Sequence, residues 1–127
     1  MPAAESYQYA LWRLVPDLER GETLNAGVLL YCRRARFLEA RVHVDPPRLA
    51  AFSPGLEAQR VADHLEGLAR VAAGEPGAGA IARAPQSERF HWLVAPASTL
   101  VQPGPVHTGL STDPAALLER LFRRLVL

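Results

Sequence analysis

The chain has 127 residues, 49% of them hydrophobic, and a formal net charge of +1. These values predict one globular domain over residues 1–127 with an apolar core of its own. The near balance of charge argues against a dedicated binder of nucleic acid or of anionic membranes, which usually carries a clear basic excess. Lys is absent from the sequence, which excludes Schiff-base catalysis, pyridoxal phosphate attachment and a P-loop lysine.

Cysteine usage and targeting signals bear on the compartment. Cys32 is the single cysteine, so neither an intrachain disulfide nor a Cys-x-x-Cys motif can form. One thiol among apolar residues fits a reducing environment. The sequence shows no secretory leader and no run of about 18 apolar residues. We therefore expect a cytoplasmic protein that does not enter a membrane.

The first third of the chain predicts three strands. Residues 7–15 are rich in aromatic and branched side chains on both alternating faces, which is typical of a central strand covered on each side. Residues 26–32 form a continuous apolar run, and residues 37–44 alternate strictly between apolar and polar side chains. The short turn at residues 33–36 makes the last two strands an antiparallel hairpin.

A helix is the most regular feature of the middle of the chain. Apolar residues recur at the helical period over residues 56–73, and the Ser53-Pro54 pair before them favours a helix start. Gly74 is a natural helix end. A short helical turn is expected over residues 48–52. The glycine-rich stretch that follows the helix predicts a mobile surface connection.

The last third adds strands and a second long helix. Residues 90–95 predict a strand with a short possible partner at residues 99–102, whereas residues 103–110 hold too many turn formers to be regular. Asp113 should cap a helix over residues 114–126. The fold class is therefore α+β: a mainly antiparallel sheet packed by two principal helices.

The first cluster of candidate site residues comprises Arg13, Glu22 and Asn25. An Arg on a buried strand face needs a carboxylate, which Glu22 could supply, while Asn25 could brace the turn into the second strand through local backbone bonds. The trio would bind an anionic ligand or a partner's acidic residue. Alternatively, it is a structural ion pair that fixes the crossing of two strands.

His107 and Gln102 are the other candidates, because polar residues in irregular segments carry function more often than those on regular faces. The alternative for His107 is a structural histidine bonded to backbone. The four histidines lack metal-ligand spacing, so no metal or other cofactor is expected. No nucleophile motif is present either. A non-enzymatic role is therefore favoured over catalysis.

Two blocks of sequence resemble a known family. The first runs from Tyr7-Gln8-Tyr9-Ala10 through Arg13-Leu14-Val15-Pro16-Asp17 to Glu19-Arg20-Gly21-Glu22, Asn25 and Gly27-Val28-Leu29-Leu30. The second contains Phe90, Trp92-Leu93, Ala95-Pro96, Val101-Gln102 and Pro105-Val106-His107-Thr108-Gly109-Leu110. In order and extent they resemble the DUF 3037 family of small bacterial proteins of unknown function.

The resemblance implies an accessory role. Members of that family are small cytoplasmic proteins often encoded beside a HipA-like kinase, which implies an antitoxin-like partnership with such a kinase. It also places Arg13, Glu22, Asn25, Gln102 and His107 in the family's characteristic segments. We therefore expect a protein-interaction module that binds a protein partner or forms a homo-oligomer. The alternative is a small ligand-binding protein or enzyme with a polar pocket around Arg13, Glu22, Asn25 and His107.

Overall fold

The computed structural model describes residues 3–127, in which the strands form one five-stranded antiparallel sheet with helices on both faces. In chain order the elements are β1 (Glu5–Leu14), β2 (Leu24–Cys32), β3 (Phe37–Val42), α1 (Pro46–Phe52), α2 (Ala58–Ala73), a 3-10 turn (Ile81–Arg83), α3 (Gln86–Leu93), β4 (Val101–Pro103), β5 (His107–Ser111) and α4 (Pro114–Leu125). The predicted α+β class, the first three strands and their hairpin are confirmed.

The sheet is built around β1. β2 pairs with one side of β1 and continues to β3, which forms one edge of the sheet. The other side of β1 pairs with two short strands in succession, β5 along its first half and β4 at its end. The β1–β2 register shifts by one residue between Trp12 and Arg13. Because side chains alternate across a sheet, the pairing also fixes which residues share a face.

Each face of the sheet carries its own apolar core. One core joins β1 and β2 to α2 and α3, and the other joins β2 to α4. The buried side chains of the first core include Trp12, Leu14, Leu29, Leu65 and Phe90; those of the second are Val28, Leu30, Leu117, Leu118, Phe122 and Val126. The first strand is central, as predicted, but full cover is confirmed only for the face of Ala10, Trp12 and Leu14, whereas the side chains of the other face, such as Tyr9 and Leu11, are half-buried.

Residues 90–95 are not a strand, because residues 86–93 form helix α3. Phe90 and Leu93, three positions apart, are buried together, as the helical period requires, while Trp92 between them is exposed. The Phe90 ring packs against Tyr31 of β2 with centroids 5.0 Å apart. This contact overrides the strand propensity of the aromatic run.

The segment 103–110 is more regular than predicted. Residues 107–111 form strand β5, which pairs with the first half of β1 in unbroken register. Gly109 permits this pairing, because a Cβ at that position would fall within the ring of Tyr7. This segment is rich in turn formers, yet it adopts a strand conformation because pairing with β1 satisfies its backbone N–H and C=O groups.

The helix ends largely follow the sequence signals. Asp113 caps α4, its Oδ1 accepting a hydrogen bond from the backbone N–H of Ala116 at 3.1 Å. Gly74 ends α2 in the left-handed conformation with φ of 68°. The Ser53-Pro54 pair does not begin α2, since Ser53 instead ends α1 and α2 starts at Ala58. No helix within residues 3–127 has the length and apolar character that a bilayer crossing demands.

Candidate functional site

Four of the five candidate residues lie on one face of the sheet, the face that carries α4. Arg13 of β1 pairs with Asn25 of β2 on one side and with Gln102 of β4 on the other, so the three form a row across the strands. His107 of β5 pairs with Tyr9, four residues before Arg13 along β1. Because residues four apart on a strand share a face, His107 belongs to the same surface.

Arg13 is half-buried and folds back along the sheet edge. A Cβ built on Gly104 would lie 2.9 Å from its Cζ atom, so the guanidinium group rests directly on this glycine. Gly104 lies between Gln102 and His107 in the chain and donates its backbone N–H to Leu11 O. The guanidinium group of Arg13 therefore lies against the chain segment that joins Gln102 to His107.

The predicted Arg13–Glu22 ion pair is wrong. Glu22 is exposed in the β1–β2 loop, where its Oε1 accepts a hydrogen bond from Arg20 Nε at 2.6 Å. This bond lowers the pKa of the Glu22 carboxyl and raises the pKa of Arg20. Among residues 3–127, Arg13 has no carboxylate within salt-bridge distance. A short polar loop satisfies its own charges locally, so Glu22 does not reach the β1 side chain.

The two candidate amides make structural contacts. Asn25 Nδ2 donates to the backbone carbonyl of Leu125 at 3.1 Å and so ties β2 to the last turn of α4. This long-range bond replaces the local backbone bonds that the sequence predicted for Asn25. Gln102 Nε2 donates to the carbonyl of Thr99 at 3.0 Å, which holds the loop in front of β4.

Aromatic rings lie beside this row. The ring of Tyr9 packs against His107 with centroids 5.0 Å apart, and Tyr7 lies 6.3 Å from Tyr9 along the same strand. His107 is exposed and belongs to a strand, in contrast to the irregular loop that the sequence predicted. We call the surface made by Tyr7, Tyr9, Leu11, Arg13 and His107 the tyrosine shelf.

The tyrosine shelf is open because α4 covers the other half of the sheet face. Helix α4 packs on β2 and β3, so β1 and β5 lie beside it. Tyr7, Tyr9 and Leu11 pack against the α4 core only at its margin and keep part of their surface accessible. The alternation of residues 7–15 already placed these side chains on one face. No local pattern in the sequence, however, indicated where α4 would lie.

Charged groups differ between the two sides of α4. Toward β3, Glu119 binds both Arg41 and Arg123, and the Arg41 guanidinium lies 4.3 Å above the Phe122 ring. The hydrogen bond from Arg41 is the main reason why the pKa of Glu119 falls below its ordinary value.

Toward the tyrosine shelf, Arg120 lines a cleft of about 470 Å³ together with Leu110 of β5 and Asp113. Arg124 lies one turn further along the same side of α4. Neither of these arginines, nor Arg13, has an acidic partner in the part of the chain that the structure describes. The shelf is thus an aromatic surface bordered by uncompensated positive charge.

The chain matches the model of one known protein family over most of its length. The model of a family described as a protein of unknown function, DUF3037, matches residues 9–126. The chain belongs to this family. The match confirms the resemblance seen in the sequence, and the shelf of this DUF3037 protein lies almost entirely within the matched residues. No curated protein and no solved structure matches the chain.

The chemistry open to this DUF3037 protein follows from what the site holds. Within residues 3–127, no three His, Cys, Asp or Glu side chains come close enough to hold a metal ion. The five candidates do not line a common pocket, because Glu22 lies elsewhere and the two amides bond to backbone carbonyls. The shelf presents aromatic rings, an exposed imidazole and guanidinium groups on one surface.

Proposed function

We propose that this protein is a cytoplasmic protein-interaction module that binds its partner on the tyrosine shelf. The observation that carries the proposal is the open strip of β1 between α4 and β5, bordered by arginines that form no ion pair with any residue from 3 to 127. Tyr and Arg are the residue types that most often supply the binding energy of protein interfaces. A partner that covered the shelf would bury the accessible parts of Tyr7, Tyr9 and Leu11.

The charge around the shelf favours a partner with acidic groups. Arg13, Arg120 and Arg124 are the uncompensated cations, and carboxylates can accept bidentate hydrogen bonds from each guanidinium group. Such pairs raise association rates and select against partners that present positive charge. The candidate partner that the family resemblance implies is a HipA-like kinase of the kind often encoded beside members of the family.

A second copy of the chain is the alternative partner. Acidic side chains do occur at one end of the shelf, where Asp113 lines the cleft with Arg120 and Glu5 lies at the start of β1. A symmetric dimer would bring such acids onto the arginines of the other copy. Light scattering over a wide concentration range separates the two alternatives, because only self-association makes the mass depend on concentration.

The experiment is a binding titration of the HipA-like kinase from the same genome against two charge-reversed forms of the protein. The first form carries Arg120→Glu and Arg124→Glu, on the shelf side of α4. The matched control carries Arg70→Glu and Arg83→Glu, two exposed arginines remote from α4. We expect the first form to bind at least about tenfold more weakly and the control to stay within about twofold of the original protein.

Equal weakening by both double substitutions would show that net charge alone drives association, and it would count against the shelf. If the kinase fails to bind and the protein is monomeric at every concentration, both partner alternatives fall. Random single-stranded nucleic acid serves as a third ligand, since aromatic rings beside arginines can also stack on bases. Tight binding of nucleic acid that weakens steeply with added salt would show that the shelf binds nucleic acid and not a protein.

A further inference from the structure

A cavity on the opposite face of the sheet lies between α2, α3 and β4 and has a volume of about 340 Å³. This volume falls at the lower end of the range of about 300–1,000 Å³ that is typical of small-molecule sites. The cavity shares no residue with the tyrosine shelf. Its lining consists of Trp12, His64, Leu68, Trp92, Leu93, Ala95, Pro96, Ala97, Thr99, Val101 and Pro103.

The walls of the cavity are mostly apolar and aromatic. Both tryptophans of the chain line it, and no Asp, Glu or Arg does. The polar side chains are His64 and Thr99, which both also border an adjoining cleft along α2 and therefore mark one end of the cavity. A charged ligand would lose hydration here without an opposite charge to replace it. The lining therefore favours an uncharged ligand with its polar group at this end.

Hydrogen bonds hold the walls in place without a ligand. Trp12, which is almost fully buried, donates its indole Nε1–H to the carbonyl of Leu93 at 3.3 Å, so its ring orientation is fixed. Thr99 Oγ1 donates to the carbonyl of Val101 at 3.0 Å, and Gln102 Nε2 donates to the carbonyl of Thr99 at 3.0 Å. A site whose walls are held in advance loses less conformational freedom when it binds.

Trp92 is the exposed aromatic wall of the cavity. It is 49% exposed, although the apolar residues beside it, Phe90 and Leu93, are 1% and 5% exposed. Leaving an indole ring in water forgoes the gain of burying it, and aromatic rings bury the largest areas of any side chain. A flat ring in the cavity would cover Trp92 and lie against the edge of the buried wall to which Trp12 and Leu93 belong.

We propose that this cavity binds a small, uncharged, planar aromatic molecule whose one hydrogen-bonding group lies at the end marked by His64 and Thr99. The proposal is independent of the proposed protein interaction, because the two surfaces lie on opposite faces of the sheet. It also gives Gln102 a role, since Gln102 holds the loop that carries Thr99.

The test is a titration of ¹⁵N-labelled protein with 2-naphthol, followed by NMR. The two tryptophans give the two indole N–H signals of the chain, and both residues line the cavity. We expect saturable shifts of both signals with a Kd on the order of 0.1–1 mM. We also expect 2-naphthoate, the same ring system with a negative charge, to bind at least about tenfold more weakly.

Two variants locate the binding. Trp92→Ala removes the exposed wall and should raise the Kd at least about tenfold, as followed by the Trp12 indole signal. Ala97→Phe fills the cavity from an exposed position and should abolish the shift. Leu110→Ala, at a residue 71% exposed on β5, is the matched control and should leave the Kd unchanged.

Several results would overturn the proposal. They are non-saturable shifts of the indole signals, equal binding of 2-naphthoate, or an unchanged Kd in both cavity variants. The preserved dispersion of the remaining amide signals checks that each variant is folded. The charge-reversed Arg120→Glu/Arg124→Glu form should bind 2-naphthol like the original protein, so failure of the protein interaction and failure of the cavity are seen separately.

Discussion

Position 27 of β2 needs a glycine because the neighbouring side chains leave no room for a Cβ atom, and not because of its backbone conformation. A Cβ at this position would lie 3.0 Å from Trp12 Cε3 and 3.0 Å from Val42 Cγ1. Trp12 is 1% exposed and held by its hydrogen bond to Leu93, so it cannot move away without disturbing the first core. Close-packed interiors tolerate extra volume poorly.

The Gly27→Ala substitution should therefore lower the free energy of unfolding by about 1–3 kcal/mol in urea denaturation. Gly67→Ala is the matched control, because Gly67 lies inside α2 and a Cβ there meets nothing within 4 Å. It should raise the free energy of unfolding by about 0.5–1 kcal/mol through helix propensity. An unchanged free energy of unfolding in the Gly27→Ala variant would show that the packing between β1 and β2 leaves room for a methyl group.

At the scale of elements, Glu119 ties α4 to β3. Its carboxylate accepts hydrogen bonds from Arg41 of β3 and, at 3.2 Å, from Arg123 one turn further along α4. The bond from Arg41 is the main cause of the lowered pKa of Glu119. A carboxyl group whose pKa is lower in the folded state stabilises the fold above its ordinary pKa, and this stabilisation is lost as pH falls through the lowered value.

Replacing Glu119 with Gln should reduce stability at neutral pH, and the difference from the original protein should vanish in acid below the lowered pKa of Glu119. Added salt should shrink the difference, since the groups are partly exposed. Glu66→Gln, on the exposed side of α2, is the control and should show no such pH dependence. Thermal melts at several pH values measure the effect. A difference that persists at low pH would mean that packing, and not charge, is responsible.

The elements with a clear period could be predicted from the sequence. Strict alternation over residues 37–44 gave β3, and helical spacing over residues 56–73 gave α2. The prediction of a strand over residues 90–95 was wrong because it rested on the strand preference of aromatic residues. Phe90 lies in a helix instead, where its ring packs against Tyr31 of β2, a contact that is distant in sequence. Strand β5 was missed because its pairing with β1 depends on residues about a hundred positions away.

In the candidate site, too, only the features set by local patterns could be predicted from the sequence. Alternation along β1 correctly put Arg13 on the face of Tyr7 and Tyr9. The bond of Asn25 to Leu125 spans a hundred residues and leaves no local trace in the sequence. The Arg20–Glu22 pair is the opposite case. Arg20 and Glu22 lie in one loop and form an ion pair there, so Glu22 does not pair with the more distant Arg13.

At the scale of the whole molecule, the sheet separates two surfaces of different chemistry. The face under α4 presents the tyrosine shelf with its surrounding arginines, and the other face presents the apolar cavity between α2, α3 and β4. The net charge of +1 conceals this arrangement, because none of the five residues that make the shelf is acidic. We therefore propose protein binding for one face and small-molecule binding for the other.

The most direct test of the central claim, that the shelf binds the partner, is hydrogen–deuterium exchange of the protein alone and in complex with the HipA-like kinase. We expect slower exchange in β5 and in residues 117–124 of α4 on complex formation, because a bound partner excludes water from both borders of the shelf. Exchange in residues 86–97, on the opposite face, should not change. Slower exchange confined to residues 86–97, with β5 and α4 unaffected, would contradict the claim.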